Sequence, residues 1–181
     1  MRTRTTIAMA ALALALSACG DDKRDLDLPP RPTRPEAQRP AKLNVGDTYR
    51  YDDGVEVKVL SISRITEFGK WDDKPPQDKV TLFRVTWMVS NGGKDEFGLD
   101  DLSPQCEGAK GGFAGHAYID KGSKPRKDRS LAPTTTETFT EEATLAHNLG
   151  KTVKCRLNRI DIGAESGEMG GEYTSWTGDI K

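Results

Sequence analysis

An all-β fold, an antiparallel sandwich, is predicted for residues 43–181 on three observations. Apolar and polar residues alternate over several short runs, Gly, Pro, Asp and Asn turn signals separate those runs, and no stretch sustains a helical period. The chain of 181 residues is 35% apolar and 30% charged, a globular composition with room for one domain plus appendages and none for a large enzyme.

The first element is a hairpin. Gly46-Asp47-Thr48-Tyr49-Arg50-Tyr51 and Val55-Glu56-Val57-Lys58-Val59 flank Asp52-Asp53-Gly54, and Asp-Gly supplies the backbone freedom of a tight turn. The second strand continues through Leu60 and Ile62, where the apolar phase slips by one residue and predicts a bulge or a buried stretch. The strongest strand is Val80 to Val89: Phe83, Val85, Trp87 and Val89 share one face, and Leu82 and Met88 join Arg84 and Thr86 on the other. Ser90-Asn91-Gly92-Gly93 is a turn, followed by weaker strands around Phe97 to Leu99, Ser103 to Glu107 and Phe113 to Ile119. Thr134 to Thr140 runs polar and β-branched after Leu131-Ala132-Pro133. Glu141 to Leu149 reads two ways, because Phe139, Ala143, Ala146 and Gly150 fall at helical spacing, with acids early and Lys151 late. Val153, Cys155 and Leu157 alternate with Lys154, Arg156 and Asn158, Ile160 and Ile162 extend that strand, and a last one runs through Tyr173, Ser175 and Thr177.

The N-terminus carries a different kind of signal. Arg2 and Arg4 precede an apolar run from Thr5 to Leu16, which makes residues 1–18 a signal peptide; a membrane span needs roughly 20 apolar residues and this run is too short. Leu16-Ser17-Ala18-Cys19, placed directly after that run, resembles the lipobox of bacterial lipoproteins. The resemblance implies a diacylglycerol on the Cys19 thiol and cleavage in front of it. A buried core cysteine fails because Asp21, Asp22, Lys23, Arg24, Asp25 and Asp27 leave Cys19 no core to enter, and free secretion after a nearby cut is the rival. Two or more acyl chains anchor stably where one does not.

Residues 19–42 are the predicted tether. Pro29, Pro30, Pro32, Pro35 and Pro40 stand there among alternating charges with few large apolar side chains, so no fold is expected. Polyproline II stiffness gives a reach of roughly 70 Å at about 3.1 Å per residue. A proline-motif ligand at Pro32 to Pro35 is the functional alternative to a plain spacer. Once the leader and the slightly basic tether are set aside, the net charge of −1 becomes about −4 for residues 43–181, which argues against nucleic acid as a partner.

The order of motifs in the domain carries a second resemblance. Val45-Gly46-Asp47-Thr48 with its hairpin, the long strand ending in Val89-Ser90-Asn91, and Leu131-Ala132-Pro133 before a Thr-rich strand resemble an immunoglobulin-like domain-of-unknown-function family in lipoproteins of actinobacteria and other Gram-positive bacteria. The similarity spans residues 43 to 180, and the chain departs from it at Pro133-Thr134, where Pro-Gly is common. It implies an immunoglobulin-like sandwich outside the cytoplasmic membrane and brings no catalytic residues.

With Cys19 lipidated, Cys106 and Cys155 are left in an oxidising compartment and are expected to form a disulfide. A free Cys106 acting beside His116 is the rival. Neither His116 nor His147 lies in a recognisable nucleophile motif, and Gly108 to Gly115 match neither phosphate-binding glycine pattern. Asp52-Asp53, Asp72-Asp73 and Asp100-Asp101, the last with Asp95 and Glu96, offer hard oxygens for calcium only if loops converge, and no EF-hand spacing supports that. Neither a metal nor a cofactor is therefore predicted. Lys121, Lys124, Arg126, Lys127 and Arg129 form the dense basic run, a candidate contact for an anionic wall polymer or lipid headgroups, or else a solubilising loop.

The expected function is a non-enzymatic binding or interaction module, lipid-anchored at the outer face of the cytoplasmic membrane, meeting an envelope protein, polymer or small ligand. The alternatives are an envelope hydrolase using Ser or Cys106 with His116 or His147, and a purely structural spacer.

Overall fold

Turn chemistry and alternation divide the chain into short strands. The computed structural model describes residues 42–127, 129–159 and 173–181; the leader, Cys19, the tether before Lys42, and Ile160 and Ile162 lie outside the described residues. In chain order the strands are β1 (Lys42–Asn44), β2 (Thr48–Arg50), β3 (Val55–Arg64), β4 (Val80–Asn91), β5 (Phe97–Gly98), β6 (Leu102–Gly108), β7 (Gly115–His116), β8 (Ser130–Leu131), β9 (Thr136–Ala146), β10 (Thr152–Arg159) and β11 (Tyr173–Asp179).

They build an all-β sandwich. One sheet has the order β1-β11-β10-β6, the other β2-β3-β4-β9-β7, and β5 with β8 forms a separate pair. The pairings are antiparallel except that β1 lies parallel to β11.

The hairpin forms where Asp-Gly places it. Gly54 takes φ +89°, its N–H donates to Tyr51 O at 2.9 Å, and Asp53 Oδ1 accepts from Val55 N at 3.1 Å. The phase slip in β3 is a bulge: the register with β4 shifts between Val59 and Ser61, so Val59 is buried, Leu60 is 40% exposed and Ile62 is buried again.

The ambiguous segment is strand to Ala146 and a 3₁₀ turn over His147–Leu149. Unbroken register with β4, from Val80↔Ala146 to Ser90↔Thr136, decides it, because a helix would forfeit that whole ladder. The weak strand expected over Phe113 to Ile119 shrinks to Gly115–His116, since Gly111 and Gly112 turn at positive φ before it. After β7 the chain keeps to the edge of β9 without regular pairing, Ala117 N donating to Glu142 O at 3.1 Å. Phe97 to Leu99 likewise gives only β5, followed by a 3₁₀ turn over Leu99–Asp101.

The predicted core face of β4 is the core: Phe83, Val85, Trp87 and Val89 are buried between the layers. Trp87 from one sheet meets Trp176 from the other edge-to-face, with centroids 5.5 Å apart at 87°. Trp176 Nε1 donates to Asp47 O at 2.9 Å, which ties β11 to the loop before β2. A second, smaller cluster of Ile65, Leu82, Ala117 and Ile119 lies apart from this core.

Candidate binding surface

The site is built by the segment after β7, which runs as a strap from Ala117 to Lys127. Leu82 and Arg84 alternate with the core residues of β4 and so face outward, and the strap covers them. Ala117 and Ile119 bury against Leu82, while Arg84 donates from Nε to Glu142 Oε1 at 2.6 Å and from a terminal nitrogen to Lys121 O at 2.8 Å. Asp72 fastens the strap to the loop before β4: its carboxylate accepts from the backbone N–H of Gly69 at 2.6 Å and of Asp120 at 2.8 Å. Those bonds, led by the one from Gly69, hold the Asp72 carboxyl below its ordinary range against the opposing effect of burial.

The strap next covers the edge of β9. Lys124 O accepts from Thr140 N at 2.8 Å, and Lys124 N donates to Thr140 Oγ1 at 2.9 Å, which blunts an otherwise open strand. Arg126 then stacks over Phe139 at 4.5 Å, donates to Leu99 O and Leu102 O at 2.7 and 3.1 Å, and stands 3.6 Å from Glu141. It is a plug in the wall of the sandwich.

Past the plug, a cleft of about 130 Å³ opens between β6 and β7–β9, with Trp87, Cys106, His116 and Glu141 among its lining. Cys106 and Cys155 face each other in the β6–β10 register and are joined in a disulfide. Burial pushes the half-buried Glu141 carboxyl above its ordinary range, against the pull of Arg126 and His116. A wider groove of about 400 Å³ adjoins it through His116 and is lined by Asp73, Lys74, Pro75, Ala117 and Thr144.

No protein-family model matches the chain, and no curated protein matches it. Among solved structures it is similar to ycdA, a proposed lipoprotein of Bacillus subtilis, at 17% identity and a TM-score of 0.51, over 73% of this chain and 38% of that one. The chain therefore spans well under half the length of that protein, and at this identity the likeness is one of fold. An uncharacterized β-sandwich protein of Clostridium difficile aligns at 12% identity and a TM-score of 0.45, over 80% of this chain and 97% of that one. A conserved hypothetical protein of Bacillus anthracis aligns at 15% identity and a TM-score of 0.46, over 64% of this chain and 87% of that one.

Of the predicted basic run only Arg126 is built into the wall of the sandwich, while Lys121, Lys124, Lys127 and Arg129 are exposed. Lys121 pairs with Glu67 at 2.8 Å, Arg126 is the plug, and Arg129 stands 3.9 Å from Asp100. Lys124 and Lys127 are held by their backbones, the latter through Lys127 N to Glu137 Oε1 at 2.8 Å. The acidic pairs do not converge: Asp53 meets Arg159, Asp72 and Asp73 bind the strap, and Asp100 faces Arg129. Among the described residues no group of three or more His, Cys, Asp or Glu is placed to hold a metal ion. His116 lines both depressions, and His147 lies in the 3₁₀ turn with its N–H donating to Lys79 O at 2.9 Å. The disulfide removes Cys106 as a free nucleophile.

Sequence reasoning took from the loop between Phe68 and Lys79 only the pair Asp72-Asp73, as possible calcium ligands, and missed its part in holding the strap. Its signal was a lone aromatic, Trp71, set among Lys70, Asp72, Asp73 and Lys74 where no periodicity explains a large apolar side chain.

Proposed function

We propose that this chain is a lipid-anchored protein of the bacterial envelope whose sandwich is a non-catalytic binding module of the immunoglobulin-like lipoprotein family named above. One observation carries the reading: Leu16-Ser17-Ala18-Cys19 stands at the end of an apolar run too short to span a bilayer, and a proline-rich stalk follows. A disulfide between Cys106 and Cys155 suits an oxidising compartment, and the Bacillus subtilis protein of similar fold is itself a proposed lipoprotein. The module presents two adjoining depressions on its strap side, and the one cysteine lining them is spent in a disulfide.

The test is membrane fractionation of the chain and of Cys19→Ser, with intact mass measured on both. The native chain stays with membranes at the mass of an acylated chain starting at Cys19. Cys19→Ser moves to the soluble fraction without the acyl mass. Equal membrane retention of the two would end the reading.

A further inference from the structure

We infer that the strap and the Trp71 loop dock the sandwich on an anionic bilayer, an inference that rests on the lipid-anchored reading and names the surface the domain meets. Trp71 is the most exposed large hydrophobic side chain among the described residues, at 78%. Its loop is fastened to the strap at successive points. Asp72 Oδ1 accepts from Asp120 N at 2.8 Å, Asp73 N donates to Tyr118 O at 2.9 Å, and Tyr118 N donates to Asp73 Oδ2 at 3.0 Å. Glu67, just before the loop, pairs with Lys121 Nζ at 2.8 Å. Trp71 and Lys121 therefore each stand one residue from the bond between Asp72 and Asp120. The predicted tether, with a reach of roughly 70 Å, exceeds the ~40 Å of the twelve-residue β4, so an anchored domain can bring this face to the membrane.

Charge selects a polyanion. From Ala117 to Lys127 four basic residues stand against one acid, Asp120, a net of +3 in a domain of about −4, while Phe68 to Lys79 is balanced by three lysines and three aspartates. The carboxylates beneath the strap are engaged from within: Glu142 binds Arg84, Glu141 stands beside Arg126, and Glu137 accepts from Lys127 N. Lys121, Lys124 and Lys127 are exposed, and no ion pair joins Lys124 or Lys127 to a described carboxylate. A basic face on an acidic domain orients the molecule toward negative charge. Trp71 then selects the kind of polyanion. Lys70 Nζ lies over its ring at 4.6 Å, and Asp72, Asp73 and Lys74 follow it in the chain, a density of charge that the core of a protein interface excludes. An indole beside an ammonium suits the headgroup level of a bilayer, where the ring meets acyl chains and the N–H and ammonium meet phosphates. A soluble wall polyanion would engage the lysines and leave Trp71 in water.

The three tryptophans supply the probe, because Trp87 and Trp176 are buried and Trp71 is not. The full chain is mixed with vesicles of brominated phosphatidylcholine, with or without brominated phosphatidylglycerol, whose bromines quench indole emission on contact. Quenching is expected with phosphatidylglycerol, relieved by high salt, and absent in Trp71→Phe. The double variant Lys124→Gln with Lys127→Gln should weaken docking about fivefold per charge removed, the scale of a lysine near an anionic surface. Near-UV circular dichroism verifies that each variant is folded. A chain that floats with the vesicles but stays unquenched keeps the anchor and overturns the docking. A chain that is quenched on anionic vesicles and does not float with neutral ones keeps the docking and ends the anchor. Undiminished quenching in the double lysine variant would overturn the basic face. Binding of polyglycerol phosphate by a chain left unquenched on anionic vesicles would assign the lysines to a wall polymer instead.

Discussion

Thr134 is the one non-glycine residue at positive φ among the described residues, at 63°. A turn imposes that value. Ala132 O accepts from Thr135 N at 3.2 Å, and Pro133 and Thr134 occupy the two central positions, the second of which is left-handed as in a type II turn. A β-branched side chain pays about 1–2 kcal/mol there, which glycine avoids at some cost in chain entropy. The departure from Pro-Gly at Pro133-Thr134, visible in the sequence, is thus a point of backbone strain that only the structure locates. Thr134→Gly should stabilise the fold by about 1 kcal/mol, read as a higher urea midpoint with an unchanged slope. A lower midpoint would show that the threonine hydroxyl or the chain entropy outweighs the strain. Arg126 teaches the converse lesson: in sequence it is one charge in a basic run, and in the fold its bonds to Leu99 O and Leu102 O make it part of the wall.

Between elements, the decisive contacts are those between segments without periodicity. The hairpin, the bulge and the core face of β4 were legible because alternation and Asp-Gly are local signals. The strand identity of Glu141 to Ala146 was not, because pairing with β4 settles it across more than fifty positions of sequence. Nor was the strap, one of whose fastenings is the Asp72 carboxylate. Asp72 binds the N–H groups of Gly69 and Asp120, and its folded ionisation lies below the ordinary carboxylate range. A lowered value means the charged form is favoured by folding: the stabilisation is full above about pH 4 and is lost as pH falls through the folded value. Asp72→Asn should therefore be less stable than the native chain at neutral pH, and the two urea midpoints should converge as the pH is taken to 3 and below. A gap that stays constant with pH would show that the ionised carboxylate is not what holds the strap.

At the scale of the whole molecule, the disulfide and the tryptophan pair divide the work. Cys106 and Cys155 sit opposite each other on neighbouring strands of one sheet, so their bond does not staple the two layers. Contact between layers comes from inner-face packing, with Trp87 against Trp176, and Trp176 is itself the register partner of Cys155 on β11. The bond instead closes a loop of 49 residues in sequence separation, and that loop contains the strap and β9 of the opposite sheet. Its effect therefore falls chiefly on the unfolded chain, where closing such a loop removes entropy equivalent to about 4 kcal/mol at room temperature. The double variant Cys106→Ala with Cys155→Ala should lose roughly that much unfolding free energy in urea. Without denaturant it should still show the native near-UV signal of the paired tryptophans, because the layers meet through side chains the substitution does not touch. Loss of that signal at full secondary structure would mean that the covalent link, and not the packing, holds the two sheets in register.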